Sequence, residues 1–180
     1  MLFRLNAMEE VFMPEDFYNP DTAEILEYDI NNFAIIVDVK GVKYIIYNLE
    51  LFPRQGVLDW FNATNAINKD KRAIVYTTSF ATKDGEMYKM WDQDLYDIGN
   101  VPKEAKVGTN SLNTSNVLYD DNPRDGDQIW KYAFKKADNL ILIVSANDKP
   151  GKEIVTKTFT NDYGHEVVSV IANLIGGYGA

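Results

Sequence analysis

The residues best equipped for chemistry cluster between positions 120 and 127. Asp120, Asp121, Asn122, Asp125 and Asp127 bring four carboxylates and an amide into one short run, separated only by Pro123, Arg124 and Gly126. Hard cations such as Mg²⁺ and Ca²⁺ take oxygen ligands of this kind, and a carboxylate-held metal can activate water for phosphodiester cleavage. The spacing is not that of an EF-hand loop, which needs acids at alternate positions, a glycine sixth and a glutamate twelfth. The same residues also suit a purely structural task. Asn122-Pro123 makes a turn, and Asp125 or Asp127 caps a helix whose dipole the neighbouring acids complement. The structural role is our expectation, with Asp120, Asp121, Asp125 and Asp127 as the metal ligands of an alternative, a metal-dependent hydrolase or nuclease.

His165 is the only histidine and stands between Asp162 and Glu166, so any imidazole acid–base or metal role falls to it. The sequence expects it in the first turn of a last helix capped by Asn161 or Asp162, where the dipole disfavours an imidazolium. No G-x-S-x-G nucleophile elbow, G-x-G-x-x-G turn or P-loop occurs, so serine hydrolysis and nucleotide binding have no motif behind them. No cofactor is expected. A third group mixes acids with aromatics: Trp91, Asp92, Asp94, Tyr96 and Asp97, in a chain with 11 tyrosines. Such surfaces suit protein interfaces that receive Arg and Lys from a partner.

Charge distribution supports the interface over the enzyme. The net charge is −9, and residues 1–30 hold eight acids against Arg4 alone, so most of the excess lies in that segment. Nucleic-acid binders need a basic stripe to displace condensed counterions, and Lys69/Lys71/Arg72 and Lys131/Lys135/Lys136 are short. Direct nucleic-acid binding is disfavoured. Cysteine is absent, which excludes disulfides and thiolate metal sites and fits a reducing compartment. No run reaches membrane-span length, and Glu9 and Glu10 interrupt the start before a signal-peptide core, so a cytoplasmic location is expected.

The elements that must position these residues begin with a hairpin, Phe33 to Asn48, turning at Lys40-Gly41. A two-residue loop sets Val39 opposite Val42, Asp38 opposite Lys43, Val37 opposite Tyr44, Ile36 opposite Ile45 and Ile35 opposite Ile46. Residues 1–20 read as irregular and 21–28 as a short helix, with a strand over ILEYDI turning at Asn31-Asn32 into Phe33 as the alternative. An amphipathic helix is expected near 54–67, then a second hairpin, 73–80 with 87–91, turning at Asp84-Gly85. Residues 92–124 read as a long loop, followed by a helix over 126–137. A third hairpin pairs 139–146 with 153–159 across Pro150-Gly151, and a last helix spans 164–175. Core positions are Ile35, Ile46, Trp60, Phe61, Ile141, Val144 and Ile171.

These elements predict one α+β domain over 1–180, a mainly antiparallel sheet of about six strands in three hairpins, packed with about three helices. The leading functional expectation is a non-catalytic acidic protein that docks on a basic surface of a partner protein, for instance one whose own ligand is nucleic acid. It is of the phage or mobile-element accessory type, such as an inhibitor of a CRISPR or restriction nuclease. Its partner-binding candidates are Glu9, Glu10, Glu15, Asp16, Trp91, Asp92, Asp94, Tyr96 and Asp97. A structural subunit of a virion or other assembly is the further alternative.

Overall fold

The structure, a computed structural model, describes residues 32–78, 80–82, 84–89, 124–145 and 154–172 in full, with the backbone of strands at 8–12, 18–19 and 24–25. In chain order the strands are β1 (Met8–Phe12), β2 (Tyr18–Asn19), β3 (Glu24–Ile25), β4 (Phe33–Val39), β5 (Val42–Leu49), β6 (Arg72–Thr77), β7 (Leu140–Ser145), β8 (Ile154–Thr160) and β9 (Glu166–Ala172). Helix α1 (Gln55–Ala66) lies between β5 and β6, and α2 (Gly126–Tyr132) with a 3₁₀ turn (Phe134–Lys136) precedes β7. Seven strands form one sheet in the order β1-β4-β5-β6-β7-β9-β8, and β2 pairs with β3 separately. The α+β mixture stands. Two N-terminal expectations do not, because β1 lies in the stretch read as irregular and β3 in the stretch read as helix.

The β4–β5 hairpin has the register its sequence demands, from Val39 opposite Val42 to Ile35 opposite Ile46 and beyond. Lys40 and Gly41 both take positive φ, 54° and 83°, as a primed turn requires, and the Gly41 N–H donates to Asp38 Oδ1 at 2.7 Å. Past this hairpin the sheet departs from the expected pattern. It contains three antiparallel pairings, β1–β4, β4–β5 and β8–β9, and three parallel ones, β5–β6, β6–β7 and β7–β9. "Mainly antiparallel" is therefore corrected to mixed, with a parallel centre.

Each discrepancy has a packing cause. The Asp84-Gly85 turn forms, with Gly85 at φ 76° and the Thr82 N–H donating to the Glu86 carbonyl at 2.7 Å, but among the described residues its arms are joined by the Ala81–Met87 bridge and the Tyr88 N–H bond to the Phe80 carbonyl at 3.1 Å rather than along a pair of strands. The first arm, β6, is apolar on both faces and is buried between β5 and β7 instead. The strands of the third hairpin, β7 and β8, both form yet do not pair, since β9 lies between them. β9 is the segment expected as the last helix. Its Val167, Val170 and Ile171 fit the expected helical stripe, but β-branching favours a strand, and alternation puts Val167 and Ile171 on one face and Val168 and Val170 on the other. A strand apolar on both sides takes the interior slot, and β8, with five of seven residues exposed, takes the edge.

Both helices cover the same face. Ala34, Ile36, Ile45, Tyr47, Leu49, Ala73, Val75, Leu140, Ile143, Val167 and Ile171 are buried there against Val57, Leu58 and Phe61 of α1 and Ile129 and Phe134 of the α2 segment. Two successive parallel crossovers advancing in one direction, β5 to β6 to β7, require this one-sidedness if both have the usual right hand. Rings tie the layers together: Phe61 stacks edge-on against Tyr47 at 4.7 Å and Phe134 at 5.3 Å, and Phe80 meets Phe134 and Phe159. On the opposite face Ile35, Ile46 and Val144 are half-buried, and so is Trp60 at the rim of the helical layer, while Phe61 and Ile171 are core as expected.

Ile141 is the misplaced core residue, 37% exposed. The β6–β7 register shifts between Ala73, opposite Leu140, and Ile74, opposite Leu142. Ile141 is the extra residue of this bulge, so Leu140 and Ile143 both reach the buried face and Ile141 is displaced from it.

Candidate functional site

Ligands of open sheets with parallel strands favour the carboxyl ends of those strands, so the ends of β5, β6 and β7 are the natural place to look. There the chain leaves β5 through Glu50-Leu51-Phe52-Pro53-Arg54 into α1. Glu50 is buried, 7% exposed, and its carboxylate is a hub. Oε1 accepts from the Arg54 backbone N–H at 3.0 Å and from Arg54 Nε at 2.9 Å, and Oε2 accepts from Asn32 Nδ2 at 2.9 Å. The Glu50 N–H in turn donates to Asn32 Oδ1 at 2.9 Å, and Thr77 Oγ1 at the end of β6 donates to the Glu50 carbonyl at 3.3 Å. A buried carboxylate is tolerable only when paired and hydrogen-bonded in this way. Phe52, buried and two residues after Glu50 in the chain, holds φ 50°, a left-handed conformation unusual for a bulky residue.

This arrangement positions rather than reacts. Both Glu50 oxygens are engaged by Arg54 and Asn32, and the guanidinium compensates the charge of the carboxylate. The network joins the start of β4, the end of β5, the end of β6 and the start of α1. Sequence reasoning missed it because Asn32 and Glu50 meet only across the hairpin, although Glu50 and Arg54 stand at i, i+4 around Pro53.

The aspartate run contributes a cap at the same end of the molecule. Asp125 is the N-cap of α2, its Oδ1 accepting from the Gln128 N–H at 3.0 Å, and Gln128 Oε1 accepts from the Asp125 N–H at 3.1 Å. This is a reciprocal capping box in which glutamine takes the third position. Asp127 follows in the first turn, where a negative charge complements the dipole, 3.9 Å from Lys89 Nζ. Asp120 and Asp121 lie outside the described residues. Gly126 explains the tight approach of α2, since a Cβ there would stand 2.0 Å from the Phe80 carbonyl oxygen and 2.7 Å from the Tyr88 nitrogen.

His165 sits at the opposite end, in the turn between β8 and β9 and not in a helix. It is exposed, with Nδ1 2.9 Å from Asp138 Oδ1. Asn161 builds this turn: its Oδ1 accepts from the N–H groups of Tyr163 and His165 at 3.0 and 2.8 Å, and its Nδ2 donates to the Ala137 carbonyl at 3.2 Å. More than a strand's length separates the two ends, since β9 begins one residue after His165 while Asp125 stands with Glu50 near the strands' far ends. His165 therefore does not form one catalytic set with Asp125 and Asp127.

The chain matches no known family, no curated protein and no solved structure.

Of the expected partner-binding residues, Glu9 and Glu10 are placed by the backbone in β1, at one edge of the sheet. Glu10 lies opposite Ile36, and Glu9 is the extra residue where the register shifts between Met8 and Glu10. Glu15, Asp16, Trp91, Asp92, Asp94, Tyr96 and Asp97 lie outside the described residues. Among the described residues no helix is long and apolar enough to cross a membrane, and no group of three or more His, Asp or Glu side chains is placed to hold a metal ion.

Proposed function

We propose that the protein is a non-catalytic binding protein that docks an acidic surface on a basic surface of a partner protein. One observation carries this reading: residues 1–30 hold eight acids against one base, and two of those acids, Glu9 and Glu10, belong to an edge strand. An edge strand offers backbone donors and acceptors to a partner, and the acids around it steer basic surfaces toward it and penalise acidic ones. Among the described residues, Asp125 and Asp127 of the aspartate run are engaged in a cap and a charge pair, which favours the binding role. Partners of the matching chemistry are proteins that themselves bind nucleic acid, and inhibition of a nuclease by covering its nucleic-acid groove is the activity that follows. A cytoplasmic, phage or mobile-element setting belongs to the same proposal.

The test is kinetic. Candidate partners captured from the native host at low and high salt are purified, and their association with wild type is compared with a variant carrying Glu9→Gln, Glu10→Gln, Glu15→Gln and Asp16→Asn. Slower association and a shallower salt dependence, with dissociation little changed, are expected. Equal association rates at both salt concentrations would remove the acidic-docking reading.

A further inference from the structure

Among the described residues the sheet ends in two edges, β1 and β8, each the terminal strand on its side. They run in opposite directions. β1 is antiparallel to β4 and β4 to β5; β5, β6, β7 and β9 run together; and β8 is antiparallel to β9. If two copies lie side by side in one orientation, β8 of the first therefore meets β1 of the second in the antiparallel sense, with the helices of both on the same side.

β8 is a well-anchored template. Seven register pairs hold it to β9, and Val155 and Phe159 pack on the core, while Ile154, Thr156, Lys157, Thr158 and Thr160 are exposed. It contains no glycine or proline, and its single charge is positive. β1 reads MEEVF, with two charges, both negative. Directly opposed residues of an antiparallel pair share a sheet face, so only registers that match the faces are allowed. Lys157 lies opposite Ser169, a buried position of the helix-covered face, and Glu10 lies opposite Ile36, a buried position of the same face. The register that sets Lys157 against Glu10 also sets Thr156 against Val11 and Val155 against Phe12.

We propose that the protein associates with further copies of itself head to tail, β8 adding to β1, with the Lys157–Glu10 pair selecting the register. The shift at Glu9 ends the matched stretch after a few residues, so the contact is short and the association reversible. Being heterologous, it does not close at two copies. The strand twist, roughly 20–25° at each step across the sheet, rotates each copy against the last and favours an open chain. The inference does not rest on the acidic-docking reading; it competes with it, since both occupy the β1 edge.

Sedimentation velocity of the purified full chain over a rising concentration series tests it. The average mass of wild type is expected to climb past that of a dimer. Lys157→Glu and Glu10→Lys, each alone, are expected to move the onset to a several-fold, up to about tenfold, higher concentration, because an attractive pair becomes a repulsive one. An equimolar mixture of the two variants returns to within about twofold of the wild-type onset, since every contact between unlike variants pairs unlike charges and an alternating chain contains only such contacts. Circular dichroism of each variant confirms the fold, and restoration in the mixture cannot come from unfolded chains. A wild type that stays monomeric, a plateau at a closed dimer, or a mixture that fails to reassemble would each overturn the proposal.

Discussion

Asp125 and Gly126 are adjacent and do opposite kinds of work. The Asp125 carboxylate satisfies an N–H at the start of α2 that no helical carbonyl can reach, so Asp125→Ala is expected to cost about 0.5–2 kcal/mol in chemical denaturation. Gly126→Ala forces a methyl into the Phe80 carbonyl and the Tyr88 amide. Backbone cannot swing aside as a flexible side chain can, and the expected cost is at least about 1–3 kcal/mol, with loss of the Tyr88 N–H bond to the Phe80 carbonyl. Tyr47 shows a different residue-scale effect. Burial pushes its hydroxyl well above the ordinary tyrosine value, and the hydroxyl bonds Asn65 Oδ1 at 3.3 Å. The folded state thus holds this proton more tightly than the unfolded state, so its contribution is intact below about pH 10 and is lost as pH rises beyond it. An alkaline unfolding profile should begin its decline there, and Tyr47→Phe should flatten it. A wild-type curve with no extra alkaline loss relative to the variant would contradict this.

At the scale of elements, asparagines do what the sequence assigned to hydrophobic spacing and turns. Asn65 in α1 donates from Nδ2 to Asn139 Oδ1 at 2.8 Å, and Asn139 Nδ2 donates to the carbonyls of Asn68 and Lys71 at 3.2 and 2.8 Å. The end of α1, the entry to β6 and the entry to β7 are thereby tied at the amino end of the parallel strands. Asn139→Ala should cost about 1–3 kcal/mol, since it strands several polar groups that face protein. The bulge gives a paired prediction on β7. Ile143→Ala, at a fully buried site, should cost about 2–5 kcal/mol, whereas Ile141→Ala, at an exposed one, should cost well under 1 kcal/mol. Equal costs at the two sites would mean that Ile141 is as buried as Ile143 and that no bulge turns it out of the core.

For the whole molecule, the order of the sheet sets the order of opening. β5, β6 and β7 have paired strands on both sides and lie beneath the helical layer, while β8 is an edge with one wet face. In hydrogen exchange the amides of β5, β6 and β7 should be slowest, near the global stability, and the outward amides of β8 should exchange through local opening. The aromatic chain from Tyr47 through Phe61, Phe134 and Phe80 to Phe159 crosses the helical layer from β5 to β8, so Phe134→Ala should lower the protection of both halves together. A loss confined to α2 would show that the layer is not one cooperative unit.

Local chemistry was legible where the causes are local. The β4–β5 register follows from a two-residue turn, α1 from its apolar stripe after Pro53, the Gly85 turn from a required positive φ, and the Asp125 cap from a short-range hydrogen bond. Each of these causes acts within a few residues. What only the tertiary structure decided is which strand pairs with which. Val167, Val170 and Ile171 satisfy both a helical and an alternating pattern, and burial on both faces between β7 and β8 selects the strand. Ile141 lies in an apolar run, and a one-residue shift against β6 removes it from the core. The Glu50 network needed Asn32 brought beside it by the hairpin, and no spacing rule joins two residues whose only relation is a shared place at the end of a sheet. Sequence patterns specify which faces are apolar; competition among strands for the interior, settled by total buried area, assigns them their neighbours.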